Sequence, residues 1–471
     1  MLQLLNILFL SVYTLSVAGV VLVIITDNRN PLRTLPWILV LLLAPGVGLV
    51  VYFFFGQDLS KRRHISRRMR KRSLALREET DPAARLLLAP RHRPLVDLLF
   101  SAAHAVPLQG SRITPYVDGA AKMEALLAAI AEAKHHIHIQ YYIFCDDRTG
   151  RSLRDALVAK ARQGVEVRIL YDDVGCARVK RSFFEGMRAE GIEVRAFLHV
   201  RFPRFTSKVN YRNHRKIAVI DGRVGFVGGM NIADRYVDGV AWGCWRDTHF
   251  RLDGCGVAGL QASFLNDWSA TTKQRVGGPD YYPALERLTD GVLQVVPGGP
   301  FGKWRTLLQA DSYAISRASR RVWIETPYYL PSEVLDTALK SAALAGIDVR
   351  LLLPERSDSR IVDLASHSYL DDLMRAGVKI AFFTPGFLHS KLLIIDDDLT
   401  VFGSANMDFR SFEHNFEVNV FVYDRAFTAR MAEIYDCDLR RCRMLTPDVW
   451  FRRPRRRRLG ESFMRIFSPL L

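Results

Sequence analysis

His214-x-Lys216-x4-Asp221 runs on into Gly228-Gly229-Met230-Asn231, and the arrangement returns as His389-x-Lys391-x4-Asp396 with Gly403-Ser404-Ala405-Asn406. Three polar residues at such offsets arise by chance in any long chain. Two copies sharing a glycine-rich tail that ends in asparagine do not. Both copies sit in an apolar β-like run, Lys216-Ile-Ala-Val-Ile-Asp221 and Lys391-Leu-Leu-Ile-Ile-Asp396. Residues two apart on a strand share a face, so the histidine and lysine of each copy project together. Asp221 and Asp396 fall on the opposite face. They complete the motif's catalytic set by pattern, yet their place on the strand predicts a structural anchor for local backbone or a basic side chain.

Outward from the histidines the duplication continues. In the first half Ile137–Phe144, Gly164–Leu170 and Gly191–Phe197 read as short strands separated by helical periodicity. In the second half Val322–Tyr329, Gly346–Leu352 and Gly377–Phe383 take the same places. After each histidine strand comes one further β segment, 224–227 and 400–402. Short apolar strands alternating with helices predict an α/β fold. The repeat predicts two similar lobes, each a mixed β-sheet flanked by helices, packed about a pseudo-two-fold axis that brings both histidines together. The predicted boundaries are 112–275 for the first lobe and 276–471 for the second, with connector composition over 271–291.

The chain has 471 residues and a formal net charge of +17, so its natural partners are anionic. Its six cysteines form no C-x2-C pair and read as reduced thiols. Residues 7–26 carry no charge and are long enough to cross a bilayer, and 35–55 form a second uncharged stretch interrupted by Pro36, Pro45, Gly46 and Gly48. Residues 1–57 are therefore expected to be a two-helix transmembrane anchor. A basic juxtamembrane linker is expected over 58–111, with Lys61, Arg62, Arg63, Arg67, Arg68, Arg70, Lys71, Arg72 and Arg77 near its start. The positive-inside rule puts this linker and both lobes in the cytoplasm, on the inner membrane. Each such cation beside an acidic leaflet contributes about 1 kcal/mol. The carboxyl end, Arg452 to Arg458 followed by Phe463-Met464-Arg465-Ile466-Phe467, reads as a basic tail that makes a second membrane-surface contact or stays disordered.

The chemistry these residues suit is phosphodiester transfer. Lys216 and Lys391 can neutralise non-bridging oxygens, and Asn231 and Asn406 can donate amide hydrogens to them, with Gly229 and Ser404 of the same tails as companion substrate contacts. One histidine can attack phosphorus and form a phosphohistidine while the other protonates the departing oxygen, then activates an alcohol or water. No metal or other cofactor is needed. An imidazole used in this way needs a partner on its far nitrogen. Asp247 and Glu417, at similar distances after their respective histidines, are candidates. The cluster His135, His136 and His138 reads as buried strand rather than metal site, and His367 as a helix-terminal residue. His414 is a weaker substrate candidate. The repeated aromatics Tyr141, Tyr142, Tyr328 and Tyr329 read as core, with some able to line a pocket mouth.

At these residues the chain resembles the phospholipase D superfamily, whose hallmark is the doubled H-x-K-x4-D motif with its G-[GS]-x-N tail. The two apolar stretches followed by basic residues are similar to those of bacterial cardiolipin synthases of that superfamily. So are Asn30-Pro31, Tyr52-Phe-Phe-Phe-Gly56 and Gly386-Phe-Leu-His389-Ser-Lys391. The resemblance implies transfer of a phosphatidyl group from one phosphatidylglycerol to another, giving cardiolipin and glycerol. It also implies His214 as nucleophile and His389 as general acid and base, although the symmetry of the two copies leaves that assignment open. Gly229 departs from the commoner serine and removes one hydroxyl donor. A membrane-bound phospholipase D would use the same residues with water. A nuclease would exploit the charge, but the charge is concentrated beside the apolar stretches and at the tail, which favours lipid over nucleic acid. A scaffold that only binds acidic lipid has no use for two complete triads.

Overall fold

The computed structural model describes residues 2–26, 31–44, 47–52, 88–199 and 210–471. The first lobe is built on a seven-stranded mixed sheet. Its parallel part is His136–Tyr141, Glu166–Asp172 and Glu193–Phe197. Ile217–Ile220, Val224–Gly228, His249–Asp253 and Arg112–Tyr116 follow antiparallel. The second lobe repeats this plan in a ten-stranded sheet. Arg321–Glu325, Asp348–Pro354 and Lys379–Phe383 are its parallel part. Leu392–Ile395, Leu399–Gly403, Asn415–Tyr423 and Val292–Gly298 follow antiparallel. The histidine strands read as continuous apolar runs because both faces of each sheet are covered.

Each lobe has its own core on the outer side of its sheet. A third core lies between the sheets, where Ile217, Val219, Phe250 and Leu252 meet Leu392, Ile394, Phe402 and Val420. The rings of Phe250 and Phe402 stack there with centroids 3.6 Å apart. Apolar side chains from both inner faces thus hold the lobes together, the ordinary way of closing two sheets face to face.

Three differences from the expected layout concern the flanks. The stretch 58–111 is not linker throughout. Residues 58–87 lie outside the described residues, but Arg93–Ala103 is a helix that buries Leu95, Val96 and Leu99 in the second lobe's core. Leu108–Gln109 then adds a strand beside Val292–Leu293. Its helical apolar spacing separates this segment from the charged run before it. The carboxyl end is ordered too, as the helix Arg455–Arg465. At the amino end Gln3–Thr26 is long and apolar enough to cross a bilayer, and it is the one such helix among the described residues. The second stretch forms Pro31–Leu43, with Pro36 inside it, and Val47–Val51. Each is too short by itself for a hydrocarbon core of about 30 Å. Asp27, Arg29, Asn30, residues 53–56 and the basic run from Lys61 to Arg77 lie outside the described residues.

Candidate active site

Two short parallel strand pairs join the lobes, and each ends at a histidine. Arg212–Asn213 pairs with Asn415–Phe416, and the His214 amide donates to the Phe416 carbonyl at 2.9 Å. One residue on from Phe416, both Glu417 oxygens lie 2.9 and 3.1 Å from His214 Nδ1. Likewise Cys244–Arg246 pairs with Gly386–Leu388, and the His389 amide donates to the Arg246 carbonyl at 2.6 Å. Asp247 Oδ2 then lies 2.6 Å from His389 Nδ1. The orienting pairs are therefore crossed, because each histidine meets the carboxylate of the opposite lobe. Chain order, which sets Asp247 after His214 and Glu417 after His389, points the other way. Since a carboxylate accepts, Nδ1 of each ring carries the hydrogen and Nε2 keeps its lone pair.

Both imidazoles line one pocket of about 300 Å³. Tyr142 stands edge-on to His214 with centroids 5.0 Å apart, and Tyr328 edge-on to His389 at 6.4 Å. Tyr141 and Tyr329 are buried core. Lys216 and Lys391 do not reach the pocket wall. Each is buried behind its histidine and donates from Nζ to that histidine's carbonyl at 2.5 Å. Lys391 Nζ also lies 2.8 Å from His389 Nδ1. Burial pushes Lys391 down to about 8, Lys216 well below its ordinary value, and His389 down to about 4. His214 is lowered by burial as well. Burial alone would raise Asp247 and Glu417. The lysines and imidazoles beside them reverse this and hold both below the usual carboxylate range. The site thus keeps its carboxylates charged while its cationic groups give up protons readily. A phosphate anion bound there would favour their protonated forms.

The motif's aspartates stand away from the pocket and hold backbone instead. Asp221 accepts the backbone N–H groups of Lys134, His135 and His136 at 2.7, 2.8 and 2.9 Å. Asp396 accepts those of Ser319, Arg320 and Arg321 at 3.0, 2.7 and 3.3 Å. Both sit at φ near +50°, a left-handed turn that aspartate tolerates better than most residues. Each pins the loop that launches its lobe's first parallel strand. Asp221→Ala strands three amides and should lower unfolding stability by about 2–4 kcal/mol. Thermal unfolding of the purified protein measures this, and an unchanged midpoint would remove the anchor role.

The glycine-rich tails also divide their work. Asn231 and Asn406 line the pocket. Asn231 Nδ2 donates to the Tyr236 hydroxyl at 2.6 Å and Asn406 Nδ2 to Asp408 at 3.0 Å, which leaves each amide one hydrogen for a ligand. Ser404 is fully buried, donates its hydroxyl to Glu417 at 2.5 Å and does not line the pocket, so it orients the carboxylate. Gly229 does not line the pocket either. A Cβ there would lie 2.0 Å from Asp247 Oδ1, so the missing side chain is what lets Asp247 reach His389. Gly229→Ala should therefore lower turnover by about 10–100-fold through displacement of Asp247. Steady-state rates on a lipid substrate test it, and near-normal turnover would mean the site accommodates the methyl group.

Pattern reading missed the cations that face the pocket. Arg235 and Arg410 stand four residues after Asn231 and Asn406, a repeated offset that could have revealed them. Arg212, two residues before His214, has no such counterpart, because Phe387 stands before His389. Elsewhere His138 stacks between Phe264 and Tyr281, and His367 lies in the middle of the helix Arg360–Arg375 rather than at its end, buried against Trp450. His414 caps the helix Phe409–Glu413 and does not line the pocket. Among the described residues no group of three His, Cys, Asp or Glu side chains could hold a metal ion.

The family model described as cardiolipin synthase, PLD-like domain matches residues 126–241 and 313–439. One described as Phospholipase_D-nuclease N-terminal matches 14–57. The cardiolipin synthase of Geobacillus kaustophilus is 42% identical over 98% of this chain and 94% of its own length. Cardiolipin synthase 2 of Bacillus cereus is 41% identical over 98% of this chain and 91% of its own. The major cardiolipin synthase of Bacillus subtilis is 34% identical over 98% of both. Among solved structures, phosphatidylserine synthase of Haemophilus influenzae superposes with a TM-score of 0.61 at 15% identity. It covers 81% of this chain and 100% of its own, a likeness of fold.

Proposed function

This chain belongs to the cardiolipin synthases with phospholipase D-like domains, and on that premise we propose that it works through a phosphohistidine on His214. The enzyme is a phosphatidyltransferase that moves a phosphatidyl group from one phosphatidylglycerol to a hydroxyl of another and releases glycerol. The observation that carries the mechanism is the crossed imidazole–carboxylate pairs facing one pocket.

His214, its Nδ1–H held by Glu417, attacks phosphorus from Nε2. The bond from phosphorus to the glycerol oxygen breaks, and His389 Nε2, protonated in the presence of the phosphate anion, gives its proton to that oxygen. Glycerol leaves. The now neutral His389 takes the proton of the second lipid's hydroxyl, that oxygen attacks phosphorus, and the nitrogen–phosphorus bond breaks to free His214. Lys216 and Lys391 supply positive charge from beneath the pocket, while Arg212, Arg410 and the spare amide hydrogens of Asn231 and Asn406 take the non-bridging oxygens.

The same reading includes two membrane spans, with 35–55 as the second, and both lobes on the cytoplasmic side of the inner membrane. The uncharged character of 35–55 and the cations after it support this orientation. Purified protein incubated with labelled phosphatidylglycerol should yield cardiolipin and glycerol in equal amounts. Phosphatidic acid as the main product would replace the synthase by a hydrolase.

A further inference from the structure

The helix Arg455–Arg465 and the turn after it have two unlike faces. Glu461 and Ser468 are buried, and Met464 and Leu471 pack on the second lobe's core. Arg453 clamps this face by bonding both Asp371 and Glu461 at 2.8 and 2.9 Å, and the Arg465 guanidinium lies 4.1 Å from the ring centre of Tyr369. On the opposite face Leu459, Phe463, Ile466 and Leu470 follow at helical spacing and are 71%, 56%, 70% and 55% exposed. One turn earlier, in line with them, stand the exposed Arg455 and Arg456. A face that makes no ion pair with the described residues and shows four large apolar side chains beside cations is built for something outside the fold.

Its position says what. Leu471, at the end of this segment, forms part of the wall of the catalytic pocket. So does Val362, in the first turn of the helix Arg360–Arg375 on which the segment is docked, and the neighbouring Ile361 is 51% exposed. The segment that carries the apolar stripe therefore ends at the wall of the pocket, with Leu470 next to Leu471. A two-tailed lipid drawn into that pocket must keep its acyl chains in an apolar phase while its headgroup reaches the histidines.

We propose that Leu459, Phe463, Ile466 and Leu470, with Arg455 and Arg456, form an interfacial helix that seats the pocket rim in an anionic lipid leaflet and is the doorway by which the headgroup enters. The occupant is a bilayer surface and not another protein: the apolar residues would sink among acyl chains and the arginines would meet lipid phosphates. The inference rests on the function proposed above only for which lipid is turned over.

The test uses the full-length protein. Ile466→Asp with Leu470→Asp should cut phosphatidylglycerol consumption in vesicles by about ten-fold or more and leave it within about two-fold in detergent micelles, where no leaflet has to be entered. Equal rates in vesicles, or parallel loss in both, would overturn the proposal. Arg455→Glu with Arg456→Glu, at exposed positions, should weaken the dependence of the vesicle rate on anionic lipid and salt. Unaltered dependence overturns it as well. A change of mass in detergent on removing the stripe would assign it to a second copy of the chain and overturn it too. Because total consumption is counted, phosphatidic acid as product would sink the synthase reading and spare the doorway. Phe463→Trp gives a readout free of turnover: its added fluorescence should be quenched by lipids brominated in their acyl chains, and no added quenching defeats the proposal.

Discussion

His389→Ala, given a phosphatidyl ester whose leaving group departs as an anion at neutral pH, such as nitrophenolate, should release one equivalent per site and then stall. His214→Ala should release none. The difference follows from proton chemistry. Glycerol cannot leave as an alkoxide, so with phosphatidylglycerol both histidines are needed, and either variant should lose at least about a thousand-fold in turnover. Nitrophenolate needs no proton, so only the nucleophile is required for the first bond exchange. The second exchange still needs a base to activate the acceptor, and His389→Ala lacks it. The phosphorus should therefore stay on His214, recoverable as an acid-labile label. A burst in His214→Ala and none in His389→Ala would exchange the roles. A burst in both would end the two-histidine scheme.

The second large effect is expected one bond away from the chemistry. Glu417→Gln should lower turnover by about 10³–10⁴-fold, because an amide can donate to Nδ1 and move the ring's hydrogen to Nε2, which removes the attacking lone pair. Since Glu417 meets His214 at 2.9 Å and Asp247 meets His389 at 2.6 Å, the two carboxylate variants should fail differently. With the activated ester Glu417→Gln should behave like His214→Ala and show no burst, whereas Asp247→Asn should burst and turn over slowly. The opposite pattern would restore the pairing suggested by chain order. Ser404→Ala should be milder than either, since it removes one donor from Glu417 and leaves the imidazole contact in place.

Much of this was legible along the chain, and the reason is local. Strand alternation carries His214 with Lys216 and His389 with Lys391, and throws Asp221 and Asp396 onto the far face, where they hold backbone amides. Continuous apolar runs mark the histidine strands of both lobes, because burial on both faces leaves no polar period there. Gly229 was legible as a departure from its copy, but its meaning was not, because the 2.0 Å approach to Asp247 is made through space. The repeated offset from Asn231 to Arg235 and from Asn406 to Arg410 was present and went unread. In a sequence such an arginine looks like any solvated charge until a pocket is seen beside it.

By itself, then, the sequence determined the duplicated α/β plan, the two histidines with their lysines, and the apolar and basic flanks. These depend on residues near one another along the chain, where spacing equals geometry. Only the tertiary structure decided which carboxylate holds which ring, that Ser404 serves Glu417, that 93–109 belongs to the second lobe, and that the basic carboxyl end is a docked helix at the pocket. Each of these is set where the two lobes or distant segments meet. Two short parallel strand pairs, Arg212–Asn213 with Asn415–Phe416 and Cys244–Arg246 with Gly386–Leu388, fix the crossed contacts, and no periodicity within either half encodes them.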